Sequence, residues 1–139
     1  MQTFLPYPDF QKTVKVLDYR RLGKQRVEAY QILRTLRGEG KTGWKHHPAV
    51  LMWKGYEKAL AAYMNACIEE WIGRGYRNTM RTEFVGLPVP MPPWFGTETL
   101  HASHRSNLLR KDPVYYGAFG WAEGPHLPYY WPVTKDGTV

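Results

Sequence analysis

The sequence predicts an all-α fold, and three observations lead to that fold class. Apolar residues recur at helical spacing in several stretches, glycine and proline separate those stretches, and no stretch alternates polar and apolar residues for long enough to form a strand. The 139 residues, 43% of them hydrophobic, can bury one core, so we expect a single domain over residues 1–139. This composition argues against wholesale disorder, and the lack of an internal repeat argues against a repeat protein.

The first third of the chain is expected to form two helices. Residues 10–17 place apolar side chains at helical spacing, and Asp9 precedes them as an N-cap. The basic segment 18–26 is interpreted as a turn or the start of a helix, in which Gly23 marks a bend or a close backbone approach. A clearer helix runs over residues 24–36 and ends at the glycines that follow.

The rest of the chain is expected to contain two further helices and two irregular segments. Residues 48–71 carry a broad apolar stripe, which predicts one long helix that begins at a proline. Four prolines in residues 84–96 predict an extended connector. Thr97 or Thr99 can cap a helix that ends at Lys111, and the tail after it is aromatic and expected to be irregular.

Net charge and aromatic content together favour a nucleic-acid partner. The chain carries 19 Lys and Arg against 12 Asp and Glu, a formal charge of +7, and 15% of its residues are aromatic. Residues 1–47 hold ten of those cations and four of the anions, so six of the seven net charges lie in the first third. Cations neutralise phosphates and aromatic faces stack on exposed bases, although a basic protein with a large aromatic core is the plain alternative.

Membrane, secreted and metal-binding classes are not favoured. No run of about 18 apolar residues is present, the first residues do not resemble a secretory signal, and Cys67 is the only cysteine, so we expect a cytoplasmic protein. The pairs His46–His47 and His101–His104 lack further ligands at metal-site spacing. We therefore expect no metal or cofactor, and we place Cys67 in the core.

The strongest candidate site is a cluster of four cations beside two carboxylates. Cations hold phosphates, and a nearby carboxylate can move protons or stabilise a developing positive charge. The alternative is a solvated helix face with weak ion pairs. The residues are Arg20, Arg21, Lys24, Arg26, Asp18 and Glu28.

Further DNA contacts are expected on the loop before residue 48 and on the helix that ends at Lys111. Histidines at a loop–helix junction and arginines leading into paired tyrosines offer phosphate contacts next to a stacking surface. Trp44 is a further candidate for stacking, whereas His47 can equally cap a helix and the tyrosines can equally pack on the core. The candidates are Lys45, His47, His104, Arg105, Tyr115 and Tyr116.

The order of these features resembles the pyrimidine-dimer DNA glycosylase family. After Thr3–Phe4–Leu5, residues 18–24 (Asp-Tyr-Arg-Arg-Leu-Gly-Lys) are similar to that family's Glu-Tyr-Arg-Glu-Leu-Pro-Arg element. Arg74–Gly75–Tyr76 resembles an Arg-Gly-Phe at the end of a central helix. The helix 101–111 and the following Pro-Val-Tyr-Tyr-Gly resemble a C-terminal helix followed by an aromatic segment.

Two further motifs are similar to a bacterial or phage branch of that family. They are Leu-Gly-Lys-Gln-Arg-Val-Glu at residues 22–28, and His47–Pro48 together with Trp53. The resemblance implies a small all-α enzyme that bends duplex DNA and cleaves the N-glycosidic bond of a damaged pyrimidine. It then implies cleavage of the backbone through a covalent imine.

The resemblance also implies which residues take part. In the family, the α-amine of a threonine exposed by removal of the initiator methionine is the nucleophile, and a glutamate manages the sugar chemistry. Here Gln2 follows Met1 and its bulk disfavours that removal, while Arg21 stands where the family has its glutamate. Arg20 and Lys24 match positions that contact DNA in the family.

These departures leave several residues as candidates for the chemistry. Asp18 or Glu28 can replace the family carboxylate, and the amine can come from Met1 or from Lys24. An α-amine has a pKa of about 7.7–8.0, so it is partly neutral and nucleophilic near pH 7. Without such an amine, the enzyme would activate water and leave an abasic site uncut.

The sequence therefore predicts a monomeric glycosylase that acts on an altered pyrimidine in duplex DNA. Two other functions use the same cations. A non-catalytic nucleic-acid-binding module would bind in a salt-sensitive way without turnover. An enzyme acting on a free nucleotide or modified base would bind the nucleotide tightly without affinity for the duplex.

Overall fold

A computed structural model describes residues 1–39 and 42–133 of the chain. Over these ranges it contains helices and turns and no strand, which confirms the all-α prediction. No helix in them is long and apolar enough to cross a membrane. The helices are α1 (Phe10–Val16), α2 (Tyr19–Leu36), α3 (Pro48–Leu51), α4 (Glu57–Gly73), α5 (Glu98–Lys111) and α6 (Pro113–Gly117), with a 3-10 turn at Thr42–Trp44.

The pair α2 and α4 forms the centre of the fold. Helix α4 also packs against α1, α3 packs against α2, and α5 packs against α6. Leu22, Ala29 and Leu33 of α2 are fully buried, as are Leu60 and Met64 of α4, so both helices turn their apolar stripes to one shared core. Cys67 of α4 also lies in this core, as expected, and burial raises the pKa of its thiol to about 12.

Helix α1 follows the sequence pattern closely. Asp9 has an extended backbone and its Oδ1 accepts a hydrogen bond of 2.9 Å from the amide of Lys12, which confirms the predicted N-cap. The helix ends at Val16, and Leu17 is buried and extended. This extended residue leads directly into α2.

Helix α2 is continuous from Tyr19, so the basic segment is the start of a helix, one of its two interpretations, and the helix begins before residue 24. It runs without a break through Gly23. A Cβ atom at this position would lie 2.9 Å from Cζ3 of Trp71 on α4, so the glycine serves the close approach of two helices and not a bend.

The apolar stripe of residues 48–71 is divided between two helices, so the prediction of one long helix is wrong. Helix α3 ends at Leu51, and α4 begins at Glu57 after a turn in which Gly55 has a φ of +86°. Trp53 in this turn is fully buried, and its Nε1 donates a 3.2 Å hydrogen bond to Oγ1 of Thr3. The apolar stripe continues from α3 to α4 because Trp53, in the turn between them, also faces the core.

The C-terminal half wraps the core. Residues 84–92 form no helix, as the prolines predict, and Trp94 is buried with its Nε1 bonded to the carbonyl of Met52. Thr97 precedes α5 as expected. The tail is not wholly irregular as predicted, because Asp112 caps the short helix α6 through the amide of Tyr115. Beyond α6 the chain packs against α5.

We expect Gly23→Ala to destabilise the protein by about 1–3 kcal/mol. Trp71 cannot easily move aside, because its Nε1 donates to the carbonyl of Arg77 and its ring lies between Arg26 and Tyr76. Urea unfolding of the variant measures the loss.

Gly73→Ala provides the matched control. Gly73 ends α4 and a Cβ atom there meets nothing within 4 Å, so this variant should be as stable as the parent or slightly more stable. Equal effects of the two substitutions would contradict the role of Gly23 in helix packing.

Candidate active site and nucleic-acid interface

The first residues of the chain pass through the core instead of lying on the surface. Thr3, Phe4 and Leu5 are buried. The carbonyl of Thr3 accepts a 2.7 Å hydrogen bond from the hydroxyl of Tyr129, and its side chain accepts the bond from Trp53. These contacts fix where the preceding residues, Met1 and Gln2, emerge.

Gln25 of α2 is the buried polar residue that holds this segment. Its Oε1 accepts hydrogen bonds from the amide of Phe4 (2.9 Å) and the hydroxyl of Tyr63 (2.6 Å). Its Nε2 donates to the carbonyl of Gln2 (3.0 Å) and to Oε2 of Glu28 (3.1 Å). The amide therefore joins the N-terminal segment, α2 and α4, and all its bonding groups are used.

Two histidines of α5 form hydrogen bonds with the backbone of Leu5, a buried residue of the N-terminal segment. The amide of Leu5 donates to Nδ1 of His104 (2.8 Å), so the proton of that ring lies on Nε2. The amide of Gly96 donates to Nε2 of His101 (2.9 Å), so Nδ1 of His101 carries the proton and donates to the carbonyl of Leu5 (2.7 Å). Both rings are therefore neutral.

Burial lowers the pKa of both histidines, and that of His104 falls to about 3. His104 is fully buried and stacks on Tyr129 at a centroid distance of 4.6 Å. Within residues 1–39 and 42–133, its Nε2 finds no hydrogen-bond partner. The sequence prediction placed His104 at the DNA, but the structure places it in the core because it binds the Leu5 amide.

A basic cleft of about 270 Å³ opens where the N-terminal segment meets α2. It brings together four of the predicted site residues with the N-terminal segment and the end of α5. Among residues 1–39 and 42–133, Glu28 is the one carboxylate in its wall. The wall consists of Gln2, Phe4, Arg20, Arg21, Lys24, Gln25, Glu28 and Lys111.

Glu28 lies directly beside the beginning of the chain. Its Oε2 is 3.4 Å from the amide nitrogen of Gln2 and also accepts the bond from Gln25. Met1 is partly buried and packs against the core. A carboxylate, the second residue of the chain and a group of cations are thus gathered at one opening.

Asp18, the other candidate carboxylate, is buried and held by hydrogen bonds. It is only 8% exposed, and its oxygens accept hydrogen bonds from the hydroxyl of Tyr116 and from Nη1 of Arg21 (3.2 Å). Burial and then the bond to Asp18 raise the pKa of Tyr116. Tyr116 is therefore a buried anchor for the start of α2, as the alternative of core packing predicted, and is not exposed for stacking on DNA.

The predicted cations divide between the cleft and structural positions. Arg20 and Lys24 are exposed at the cleft, and Arg21 lines it while paired with Asp18. Arg26 lies outside its wall. Its guanidinium packs over Trp71 at 4.4 Å and donates to Asn78, and burial lowers its pKa.

The remaining candidates lie elsewhere. Lys45 is exposed beside a separate depression lined by α3 residues. His47 caps α3 by accepting a hydrogen bond from the amide of Ala49, as one alternative predicted. Arg105 is engaged by Glu98, Glu123 and the carbonyl of Pro6, which ties α5 to the tail. Tyr115 remains partly exposed, at the edge of a second groove.

The candidate site residues taken from the sequence did not include two cleft residues, Gln25 and Lys111. Gln25 stands among charged neighbours in a segment interpreted as basic surface, although it lies four residues before Ala29 and therefore on the buried face of the predicted helix. Lys111 ends α5 and reaches the cleft from about 90 residues away along the chain. In the described part of the chain, no three His, Cys, Asp or Glu side chains are grouped to hold a metal ion.

Comparison with known families identifies the chain. Residues 1–84 match the family model described as pyrimidine dimer DNA glycosylase, which is more than half of the 139 residues. The chain belongs to the pyrimidine dimer DNA glycosylase family. This membership confirms the resemblance, and at the family level it makes DNA repair by a glycosylase the function. No curated protein and no solved structure matches the chain.

The glycosylase-family match covers α1 to α4 and most of the cleft wall. Lys111 and both histidines that hold Leu5 lie beyond it. The C-terminal half therefore completes a site whose other residues belong to the matched region.

Gln25→Leu should destabilise the protein by about 1–3 kcal/mol, because the buried amide of Phe4 loses its acceptor. It should also displace the N-terminal segment from Glu28. Gln31→Leu, an exposed position on the same helix, should change stability by less than about 0.5 kcal/mol. Thermal unfolding compares the two, and a Gln25→Leu protein as stable as Gln31→Leu would contradict the assignment.

The neutral histidines predict loss of stability in acid. Below about pH 6.5 the unfolded chain binds protons at both histidines, whereas the lowered pKa values of His101 and His104 keep these rings neutral in the native state, for His104 down to about pH 3. The free energy of unfolding therefore falls as the pH falls below about 6.5. The slope should be up to about 1.4 kcal/mol per pH unit for each histidine. Denaturant unfolding between pH 7 and pH 4 measures it.

His104→Asn tests the origin of that slope, since its side-chain oxygen can still accept from the amide of Leu5. This variant should lose part of the pH dependence, whereas His46→Asn at an exposed position should keep it. An unchanged slope in His104→Asn would show that other groups are responsible.

Proposed function

We propose that the protein is a DNA N-glycosylase that removes an altered pyrimidine from duplex DNA and then cleaves the abasic site through an imine. The observation that carries the proposal is the meeting of the N-terminal segment, Glu28 and several cations at one cleft in a member of this family. We assign Glu28 as the catalytic carboxylate, the α-amine of Met1 as the nucleophile, and Lys24 as the alternative amine.

Charge and exposure support a role for the cleft in binding the DNA backbone. Arg20, Lys24 and Lys111 are exposed around it, and each can contact a phosphate without breaking a structural ion pair. Arg21 retains one bond to Asp18 and presents its remaining donors to the cleft. A deoxyribose held between these cations would lie close to Glu28.

The chemistry requires a nucleophilic amine and a carboxylate on one sugar. The amine nitrogen attacks C1′ and the bond from C1′ to the base breaks, so the base leaves with the electron pair and takes up a proton. The carboxylate of Glu28 stabilises the positive charge that develops on the sugar. Opening of the sugar ring gives the imine, and loss of a proton from C2′ then breaks the C3′–O bond.

Asp18 is less suited to this work. Both of its oxygens already accept hydrogen bonds, and only 8% of the residue is exposed. Glu28 has one oxygen, Oε1, outside the contacts with Gln2 and Gln25. That oxygen can face a substrate while Oε2 keeps the carboxylate in place.

The test uses duplexes that carry a pyrimidine dimer, uracil or an oxidised pyrimidine, with and without borohydride. We expect base release, a trapped covalent adduct, and a loss of about 10²–10⁴-fold in rate for Glu28→Gln, which keeps the shape and accepts the same hydrogen bonds. Glu39→Gln removes an exposed carboxylate beyond the end of α2 and should leave the rate unchanged.

Mass mapping of the trapped adduct identifies the amine. Attachment at Met1 supports the proposal, whereas attachment at Lys24 would identify the side-chain amine of that residue on α2 as the nucleophile. Abasic sites without an adduct would reject the imine step and favour activated water. Absence of product from every lesion, with DNA binding retained, would reject the glycosylase and favour a binding module.

A further inference from the structure

A second groove, of about 540 Å³, adjoins the basic cleft. The two share Arg20, Arg21 and Lys111 in their walls, so one strand can occupy both. The groove differs from the cleft in carrying three tyrosines. We call it the tyrosine groove, after Tyr19, Tyr76 and Tyr115.

The rings of the tyrosine groove are exposed, and neighbouring rings support them. Tyr19 is 50% exposed, Tyr76 41% and Tyr115 38%. Tyr19 and Tyr76 lie 6.0 Å apart at an angle of 34°, and Tyr76 rests on Trp71 at 4.4 Å. Trp71 in turn carries the guanidinium of Arg26 on its ring at 4.4 Å. Such a supported layer holds aromatic faces in place before any ligand arrives.

The charges of the tyrosine groove suit a polyanion. Arg20 and Lys111 are exposed in its wall. Its two carboxylates are already engaged, because Asp18 binds Tyr116 and Arg21, and Asp112 caps α6. The groove therefore offers cations for phosphates next to flat faces for bases, which is the pattern of single-strand binding sites.

Intact duplex DNA does not present base faces to a protein, because each face is stacked on its neighbours. We infer that the tyrosine groove binds unpaired bases of the DNA strand next to the target nucleotide. The enzyme then acts on lesions in locally unpaired DNA in preference to fully paired DNA. The activity part of this inference rests on the proposed function, whereas the binding part does not.

The binding test uses an undamaged, fluorescently labelled oligothymidylate and a fully paired duplex of equal length, measured by anisotropy. Tyr19→Leu should weaken binding of the single strand by about 5- to 100-fold, the worth of one stacked base. Tyr19→Phe keeps the ring and should bind as the parent does. Tyr30→Leu removes a tyrosine of similar exposure on the same helix and should have no effect.

The salt dependence of single-strand binding is an independent test of the tyrosine groove. Arg20→Gln should reduce the salt slope of single-strand binding by about 0.7, one phosphate contact. Thermal unfolding of each variant checks that the fold is retained, which is expected because Tyr19 and Arg20 are exposed.

Several results would overturn the inference. Equal loss of single-strand and duplex affinity in Tyr19→Leu would make the tyrosine a general DNA contact, and no loss in either would leave the groove without this role. Tighter binding of an oligouridylate than of the oligothymidylate would assign the groove to RNA.

The activity test compares one lesion in a bubble and in a paired duplex, with Tyr19→Leu expected to abolish the preference for the bubble. Equal rates on the two substrates in the parent would reject the preference. Because the binding arm uses undamaged DNA, it can succeed where the glycosylase proposal fails. Base release from a paired lesion can likewise succeed where the groove inference fails.

Discussion

The buried amide of Gln25 is the interaction on which the site depends. It is a polar group in the centre of the fold, and leaving such a group unpaired would be costly, so its four hydrogen bonds must all form together. Tyr63 brings α4 into this network, and Phe4 and Gln2 bring the beginning of the chain. The position of Glu28 is therefore set by the same contacts that close the core.

The cationic side chains of the protein fall into two groups, those held in contacts within the fold and those exposed to a ligand. Arg26, Arg74 and Arg105 are held by aromatic rings, carboxylates or carbonyls that join helices and tail. Arg20 and Lys24 instead stand exposed at the start of α2. The positive charge of the chain is thus partly used to hold the fold, and another part is left to contact phosphates.

The helical pattern of the sequence is sufficient for the fold class, for α1 and α5, and for α2 from residue 24 onwards, because local spacing and capping determine those elements. The pattern is insufficient where a contact with a residue far along the chain determines the local structure. Gly23 looks like a turn residue until Trp71 is placed against it, and Trp53 looks helical until its indole meets Thr3. Both are tertiary effects that overrule local preference.

The same limit applies to the site. The cluster on α2 was found because its charges are adjacent in the sequence, and the carboxylate Glu28 was among the candidates. His104 was not recognised as buried, and the choice between stacking and core packing stayed open for Tyr116, because their partners lie 99 and 98 residues away along the chain. A sequence shows that a side chain is polar, but it does not show which group forms a hydrogen bond with it.

The threading of the N-terminal segment has a consequence for biosynthesis. Leu5 bonds to a side chain 99 residues later, and Thr3 to one 126 residues later. These residues therefore acquire their partners only after positions 104 and 129 have been synthesised, and a chain interrupted before them holds the N-terminal segment without those contacts. A fragment limited to residues 1–84 would carry the family's matched region without the side chains that fix Thr3 and Leu5.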